Sequence, residues 1–335
     1  MIPIVLATDK NYLSQTYVTI LSALENKEID TLYDIYILIP KSFSFFNTIK
    51  FKNLIKKYKG CKIHFITMRN AFASKKMQIS HITSPTYYRL KIAEILPQYQ
   101  RAIYMDSDVI VLKDLNEYFN SDLGGNYIGG VKAAGYILHP DGNKKLCEKL
   151  GIKDISQYIN AGITLWNLEQ IRRDNMQDKL MKLSENDYPS MDQDIINIAF
   201  YNHILHFPYK YNMMTTYKTR YLDNPEKLPD FYSLYGKENI EEALKSPVII
   251  HYADKIKPWN SEVWLGKYWK KYADITPYTF GERIPFIQHL FSVKNDNVPK
   301  VLCILGIRIK LKKGLLLEPI IRFIQAFNLI GGGGN

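Results

Sequence analysis

The stretch Ala102-Ile103-Tyr104-Met105-Asp106-Ser107-Asp108-Val109-Ile110-Val111 brings two carboxylates, one residue apart, to the end of an apolar run. Anions held there repel each other and resist dehydration. A shared hard cation offsets both costs and leaves coordination positions for diphosphate oxygens. A turn-capping aspartate is the plainer alternative for either residue. A second apolar run, Pro247-Val248-Ile249-Ile250, ends in His251 and opens the segment His251-Tyr252-Ala253-Asp254-Lys255-Ile256-Lys257-Pro258-Trp259. A lone histidine at a strand end is commonly structural, but beside two carboxylates it completes a set of three metal ligands. That set suits Mn²⁺ somewhat better than Mg²⁺, which favours oxygen ligands alone. Lys257 would then place a cation against the negative charge of a departing diphosphate, the alternative being a solvated lysine before a proline turn.

The elements that must position these groups alternate in type. Strand-like runs are expected at Pro3–Ala7, Tyr33–Ile39, Lys62–Ile66 and Ala102–Met105, with helical patterns over Tyr12–Leu24, Phe46–Tyr58 and Ser84–Leu96. Ser84 is a cap candidate there, and Pro85 occupies the first helical position. This order predicts an α/β fold with βαβ units around a mostly parallel central sheet. Ligands of such sheets bind at the carboxyl ends of the strands, where Asp9 and Asp106 both fall. In the second half, strands are expected at Tyr127–Val131, Gly162–Trp166, Ile204–Pro208 and Val248–His251, and helices at Glu169–Leu183 and Asp192–Tyr201. Tyr217–Gly236, with Pro225 and Pro229, reads as an irregular loop.

Composition narrows the class. With 46% hydrophobic and 23% charged residues in 335, the chain is globular, and neither disorder nor a simple membrane span fits. The 25 tyrosines fit partners with hydroxyls, ring faces and phosphates, and fit a coding bias equally. Cys61, Cys147 and Cys303 are far apart and form no metal-type or disulfide pattern. The amino terminus runs straight into strand-like sequence with no secretion signal, so a cytoplasmic location is expected. The net charge of +11 is concentrated toward the end, where seven Lys/Arg stand against two Asp/Glu from Lys294 onward. With no continuous basic stripe and no nucleic-acid module, nucleic acid is not an expected partner. The stretch 299–330 instead mixes Arg308, Lys310, Lys312, Lys313 and Arg322 with Ile, Leu and Phe, as a helical tail lying in a headgroup layer would. Packing on the catalytic domain or a second subunit is the alternative. The expected division is a catalytic domain over 1–275 and an extension over 276–335.

Six motifs then stand in order: Ala7-Thr8-Asp9, Tyr87-Tyr88-Arg89-Leu90, Asp106-Ser107-Asp108, Asn160-Ala161-Gly162, Asp192-Gln193-Asp194 and His251 to Trp259. In that order the chain resembles glycosyltransferase family 8, whose members include bacterial lipopolysaccharide galactosyl- and glucosyltransferases and, more distantly, glycogenin. The resemblance implies the GT-A fold, a Rossmann-like nucleotide-diphospho-sugar transferase architecture. It also implies a UDP-sugar donor, retention of anomeric configuration, and transfer of galactose or glucose to a glycan or glycolipid acceptor; the basic tail adds the expectation of attachment to the cytoplasmic face of the membrane. It assigns Asp106, Asp108 and His251 to Mn²⁺, and Ala7, Thr8 and Asp9 to the uridine. Arg89, Asn160, Ala161, Asp192 and Gln193 go to the donor sugar, with Gln193 nearest the reacting face. Ser107 sits between the two acids.

Each assignment has a plainer alternative. Arg89 could pair with Glu94, Asn160 could turn the chain, and Asp192 could cap a helix. A glycogenin-like self-glycosylating protein and a metal-dependent phosphohydrolase using Asp106 and Asp108 are the competing functions. The chain departs from the family pattern at Asp254, where many members carry glycine, and at Lys132-Ala133-Ala134, which lacks an acidic residue often found there.

Overall fold

A computed structural model describes the chain except for residues 45, 70, 73–74, 76–83, 140–142, 279, 281–290, 295–300, 305–306 and 311–335. Four strands are apolar or nearly so: β1 (Ile2–Ala7), β2 (Tyr33–Ile39), β3 (Lys62–Thr67) and β4 (Arg101–Met105). β1 and β2 are buried almost throughout, as parallel strands covered on both faces must be. β3 lies at the sheet edge, and its Lys62 and Thr67 are exposed. The next strands along the chain are β5 (Val109–Val111), β6 (Ile128–Lys132), β7 (Ile159–Asn167), β8 (Ile204–His206), β9 (Met213–Met214) and β10 (Ile249–His251).

The main sheet runs β3-β2-β1-β4-β7-β6-β8. It is parallel from β3 through β4, antiparallel across β4-β7-β6 and parallel again between β6 and β8. After β3 the chain returns to the far side of β1, so the connections leaving β1 and β4 diverge and open a crevice at their carboxyl ends. One sheet face packs Val5, Tyr36, Tyr87, Tyr104, Trp166 and Phe200 into a single core. Each such side chain contributes roughly 1.5–3 kcal/mol when withdrawn from water.

A second small sheet, β5-β10-β9, completes the site. β10 pairs antiparallel with β5, setting His251 opposite Val109. Tyr252 N–H donates to the Asp108 carbonyl at 3.0 Å. A strand 140 residues downstream is thus registered directly on the residue after the carboxylate pair.

Three expected elements differ. Ser84–Leu96 is a 3₁₀ helix over Ser84–Lys91 followed by a short α-helix, Ile92–Ile95. In a 3₁₀ turn residues i and i+3 eclipse, so Thr86 and Arg89 share one edge, and Arg89 Nε donates to the Thr86 carbonyl at 3.0 Å. Glu169–Leu183 divides into Leu168–Arg173 and Met176–Leu183 at Asn175, whose φ of 53° asparagine tolerates better than most residues. Tyr217–Gly236 is ordered, as a π-helical turn at Lys218–Leu222 and an α-helix at Leu228–Tyr235. Pro229 lies in that helix's first turn, where its missing N–H costs nothing, so it starts the element.

The chain divides into two compact units, Met1–Thr276 and Pro277–Asn335. Within the second, Phe291–Lys294, Val301–Ile304 and Ile307–Lys310 form an antiparallel three-stranded sheet. These are strands where a helical tail was expected, and the alternation Ile307-Arg308-Ile309-Lys310 has the two-residue period of a strand. The tail beyond Lys310, with Lys312, Lys313 and Arg322, lies outside the described residues. Among the described residues no helix is long and apolar enough to cross a membrane.

Candidate active site

The crevice at the ends of β1 and β4 is a cavity of about 510 Å³ whose lining includes at least one residue of each of the six motifs. At its floor each acidic side chain is divided between two tasks. Asp106 Oδ1 accepts from Arg89 Nη2 at 2.8 Å and from the Tyr104 hydroxyl at 3.0 Å, while Oδ2 faces His251 Nε2 at 3.9 Å. Asp108 Oδ2 accepts from Lys257 Nζ at 2.6 Å, and Oδ1 lies 3.3 Å from His251 Nε2. One oxygen of each acid is therefore steadied by a buried cation and the other turns to the imidazole. Ligand atoms of Asp106, Asp108 and His251 all lie within 4.8 Å of one another.

His251 is 2% exposed and is set by Asn212, a fully buried residue whose Oδ1 is 3.0 Å from Nδ1. With Nδ1–H donated there, Nε2 keeps its lone pair toward the acids, the arrangement a metal-bound imidazole needs. Asn212 Nδ2 donates in turn to Asn160 Oδ1 at 2.9 Å, and Asn160 Nδ2 to Gln193 Oε1 at 3.1 Å. A Cβ at Gly162 would stand 2.3 Å from His251 Cε1 and 2.8 Å from Asp106 Oδ2, so only glycine leaves room for this floor. Two carboxylate oxygens and a tautomer-fixed imidazole in a cradle that one methyl group would fill suit a divalent cation with mixed oxygen and nitrogen ligands.

Electrostatics reinforces the division. Burial raises the Asp108 carboxyl, yet the Lys257 charge and its hydrogen bond hold it well below the usual carboxylate range. Burial lowers the Lys257 ammonium, and Asp108 more than restores it. Lys257 also donates to the Tyr252 carbonyl at 2.7 Å, leaving one of its three donors for the cleft. Arg89 stacks over the Tyr104 ring at 4.1 Å and binds Asp192 Oδ2 through Nε at 2.8 Å and the Ala161 carbonyl through Nη1 at 2.6 Å. Glu94, the alternative partner, pairs with Lys91. Burial pushes the Asp192 carboxyl up to about 6 against the pull of Arg89 and of the Thr86 hydroxyl, which donates at 2.7 Å.

The helix Asp192–Ala199 presents Asp192 and Gln193 from its first turn. Met191, immediately before it, has φ 52° and ψ −122°, a conformation that costs a side-chain-bearing residue about 1–3 kcal/mol. That strain turns the chain so that Asp192 goes under the floor and Gln193 to its rim. Gln193 Oε1 also accepts from Ala161 N–H at 3.1 Å, and Nε2 donates to the Tyr158 hydroxyl at 3.2 Å. Asp9 Oδ1 accepts from the N–H groups of Asn11 and Tyr12 at the entry to the helix Leu13–Glu25. Thr8, Thr16 and Ser107 join their hydroxyls, and Ser107 donates to the Ala7 carbonyl at 3.2 Å, tying the ends of β1 and β4 together. The candidate site residues Ala7, Thr8, Asp9, Arg89, Asp106, Ser107, Asp108, Asn160, Ala161, Asp192, Gln193, His251 and Lys257 line one crevice. Asn212 was missed, because an isolated asparagine after Tyr211 carries no signal of its own.

Comparison with known proteins agrees with this geometry. Residues 3–263 match Glycosyl transferase family 8. General stress protein A of Bacillus subtilis (strain 168) is 25% identical over 266 residues, covering 77% of this chain and 87% of that protein. A lipopolysaccharide 1,2-glucosyltransferase of Escherichia coli is 26% identical over 278 residues, covering 79% and 73%. The structure of the WbbM bifunctional glycosyltransferase superposes with a TM-score of 0.69 at 26% identity, over 82% of this chain and half of that one. Galactosyltransferase LgtC, solved with donor and acceptor sugar analogs, gives a TM-score of 0.67 at 24% identity over 83% and 97%, a likeness of fold. The fold is the GT-A fold of glycosyltransferases. The chain belongs to glycosyl transferase family 8.

Proposed function

We propose that the protein is a retaining, metal-dependent hexosyltransferase that moves galactose or glucose from a UDP-sugar to a hydroxyl of a glycan acceptor in lipopolysaccharide, capsule or other cell-surface glycan synthesis. The observation that carries this is the convergence of Asp106, Asp108 and His251 at the end of the crevice where β1 and β4 part. Those three residues would hold Mn²⁺, or Mg²⁺ less well, and the bound cation would neutralise the diphosphate and act as Lewis acid on the leaving UDP. Lys257 adds its remaining N–H to the diphosphate charge. Ala7, Thr8 and Asp9 line the uridine end, while Asn160, Ala161 and Gln193 face the sugar. Arg89 acts from below, holding Asp106 and Asp192 in place.

Retention needs either a carboxylate nucleophile or attack on the face the leaving group departs from. The two acids nearest the sugar end are engaged: Asp192 with Arg89 and Thr86, Asp194 with the Tyr158 hydroxyl and Ser190 N–H. This favours front-face attack, in which the acceptor oxygen bonds to the anomeric carbon as the carbon–oxygen bond to phosphate breaks. The acceptor proton passes to the departing phosphate oxygen, and Gln193 lies beside the reacting carbon. A panel of nucleotide sugars, with and without Mn²⁺, scored for UDP release and for the anomeric configuration of the product, tests the reading. Release from a UDP-hexose only with metal and an α-product is expected, and inversion or metal-independent turnover would refute it. A mass gain on donor alone would favour the self-glycosylating alternative.

The lipid-linked character of such acceptors suits attachment of the basic tail, 299–330, to the cytoplasmic face of the membrane. Replacing Arg308, Lys310, Lys312 and Lys313 by glutamate in the full chain should abolish sedimentation with anionic liposomes; unchanged sedimentation would exclude this role for the tail.

A further inference from the structure

Three Arg or Lys side chains line the cleft: Arg89, Lys257 and Arg220. The first two are buried and bind Asp106, Asp192 and Asp108. Arg220 is exposed and makes no hydrogen bond or ion pair among the described residues. Asp106, Asp108 and Asp192 already have their cations, and neither of the other two acids lining the cleft, Asp9 and Asp254, pairs with Arg220, so Arg220 is an uncommitted positive charge on the wall.

Its base is nonetheless firmly held. Arg220 lies on the π-helical turn Lys218–Leu222, a local conformation that recurs at functional sites. On either side of it, Tyr217 and Tyr221 are buried, and their rings pack on Phe231 at 5.7 and 5.0 Å. The Tyr217 hydroxyl accepts from Gly135 N–H at 3.1 Å, and the Tyr221 hydroxyl donates to the Ala134 carbonyl at 3.1 Å. The guanidinium lies over Gly135, where a Cβ would come within 2.9 Å of Nη1. It is also near enough to Tyr136 to draw that hydroxyl's pKa down against the burial that raises it. Tyr136 shares a 2.7 Å hydrogen bond with Ser190, whose carbonyl accepts from Gln193 N–H at 3.1 Å, which places Arg220 toward the Gln193 side of the cleft.

An unpaired guanidinium fork on a fixed base, open to a cavity, matches a carboxylate or phosphate oxygen pair. We propose that the part of the cleft bounded by Arg220, Tyr136 and Gly135 is an acceptor subsite for a glycan bearing an anionic group, a carboxylate or a phosphate monoester, and that Arg220 selects it. The proposal rests on the glycosyltransferase reading for the word acceptor. Its physical content, an anionic-sugar site, stands on the wall itself. A neutral sugar would leave the fork in water and gain nothing from it, whereas an anion would gain a bidentate pair.

The test is calorimetric titration of the full chain, with UDP and Mn²⁺ present and absent, using methyl α-glucuronide, glucose 6-phosphate and methyl α-glucoside as probes. At least one charged probe should bind tenfold or more tightly than the neutral glucoside. The better of the two shows which anion the fork prefers. In Arg220→Gln that preference should vanish, and Arg220→Lys should restore part of it. Equal affinity for all three probes, no binding of either charged probe, or a preference that survives in Arg220→Gln would overturn the proposal. A parallel loss of UDP affinity in Arg220→Gln would assign the residue to the donor and overturn it as well. Failure of the wild-type protein to release UDP from any nucleotide sugar would refute the enzyme reading instead, and the titration would still decide the subsite.

Discussion

The floor and the far wall of the cleft are built on opposite plans. On the floor charge is dense and compensated: Arg89 serves Asp106 and Asp192, Lys257 serves Asp108, and Asn212 fixes His251. On the wall charge is sparse and hydroxyls dominate. Tyr209, Tyr217, Tyr221, Phe231 and Tyr235 pack ring on ring, and the hydroxyls of Tyr217, Tyr221 and Tyr235 reach back to the backbone of Gly135, Ala134 and Lys132. A charged floor fixes atoms to within hydrogen-bond tolerance, which suits a diphosphate and its cation. An aromatic wall fixes a surface, which suits the broad face of a sugar ring. Substitutions on the floor should therefore remove catalysis with the fold intact, and those in the wall should weaken the fold and acceptor binding together.

The largest effect is expected for Asp106→Ala. The carboxylate that faces His251 is lost while Asp192 still pairs Arg89, so turnover should fall on the order of a thousandfold, about 4 kcal/mol in the barrier. The thermal midpoint should stay within a few degrees of wild type. UDP release with Mn²⁺ and a melting curve check both halves, and undiminished turnover would remove the metal reading. Next comes Phe231→Ala, which takes the centre out of the aromatic wall at a position that is fully buried. It should destabilise by about 3 kcal/mol in denaturant titration, since a large ring leaves a cavity its neighbours fill only in part. A loss under 1 kcal/mol would show that the wall is not a packed unit.

A third contrast comes from pH. Burial places the folded-state pKa of Asp192 near 6, above the ordinary aspartate value of 3.8. The sign follows: the stability associated with its protonated form is fully present below about pH 4 and is lost as the pH rises through about 6. For the metal-free protein, the stability of wild type relative to Asp192→Asn should thus fall by about 2 kcal/mol between pH 4 and pH 6. Urea titrations at the two pH values measure it, and a flat difference would mean that Arg89 holds Asp192 ionised throughout.

The contrast between floor and wall also marks how far the sequence could be read. The floor was legible because its chemistry needs particular residue types at strand ends: Asp106 and Asp108 after an apolar run, and His251 after another. The strands themselves were legible because buried runs such as Ile2 to Leu6 and Tyr33 to Ile39 admit few alternatives. The wall was not. Pro225 and Pro229 suggested a loop, yet Pro229 lies in the first turn of a helix, and Tyr217, Tyr221 and Tyr235 are buried. The helices Lys237–Lys245 and Gly266–Ala273 also went unread, being amphipathic stretches with mostly charged outer faces. The 3₁₀ form of Ser84–Lys91 follows from Arg89 folding back on Thr86, a tertiary demand set by acids on β4 and on the helix Asp192–Ala199 that no local pattern contains.

Asn212 is the floor residue the sequence hid, and the smallest of the expected effects belongs to it. Asn212→Ala removes the acceptor for His251 Nδ1–H and the donor to Asn160 Oδ1 without touching any group that faces the proposed cation. The imidazole is then free to rotate and to change tautomer, so only part of the population presents Nε2 with its lone pair toward Asp106 and Asp108. Metal affinity should fall about tenfold, or ~1.4 kcal/mol, the low end of what losing a partner behind a histidine ligand costs. Turnover at saturating Mn²⁺ should recover to near the wild-type rate, because the metal itself selects the correct tautomer when bound. A titration of UDP release against Mn²⁺ separates the two quantities. A fall in the saturated rate with no change in the Mn²⁺ midpoint would place Asn212 behind Asn160 and Gln193 rather than behind His251, and would move the weak point of the floor from the metal to the sugar.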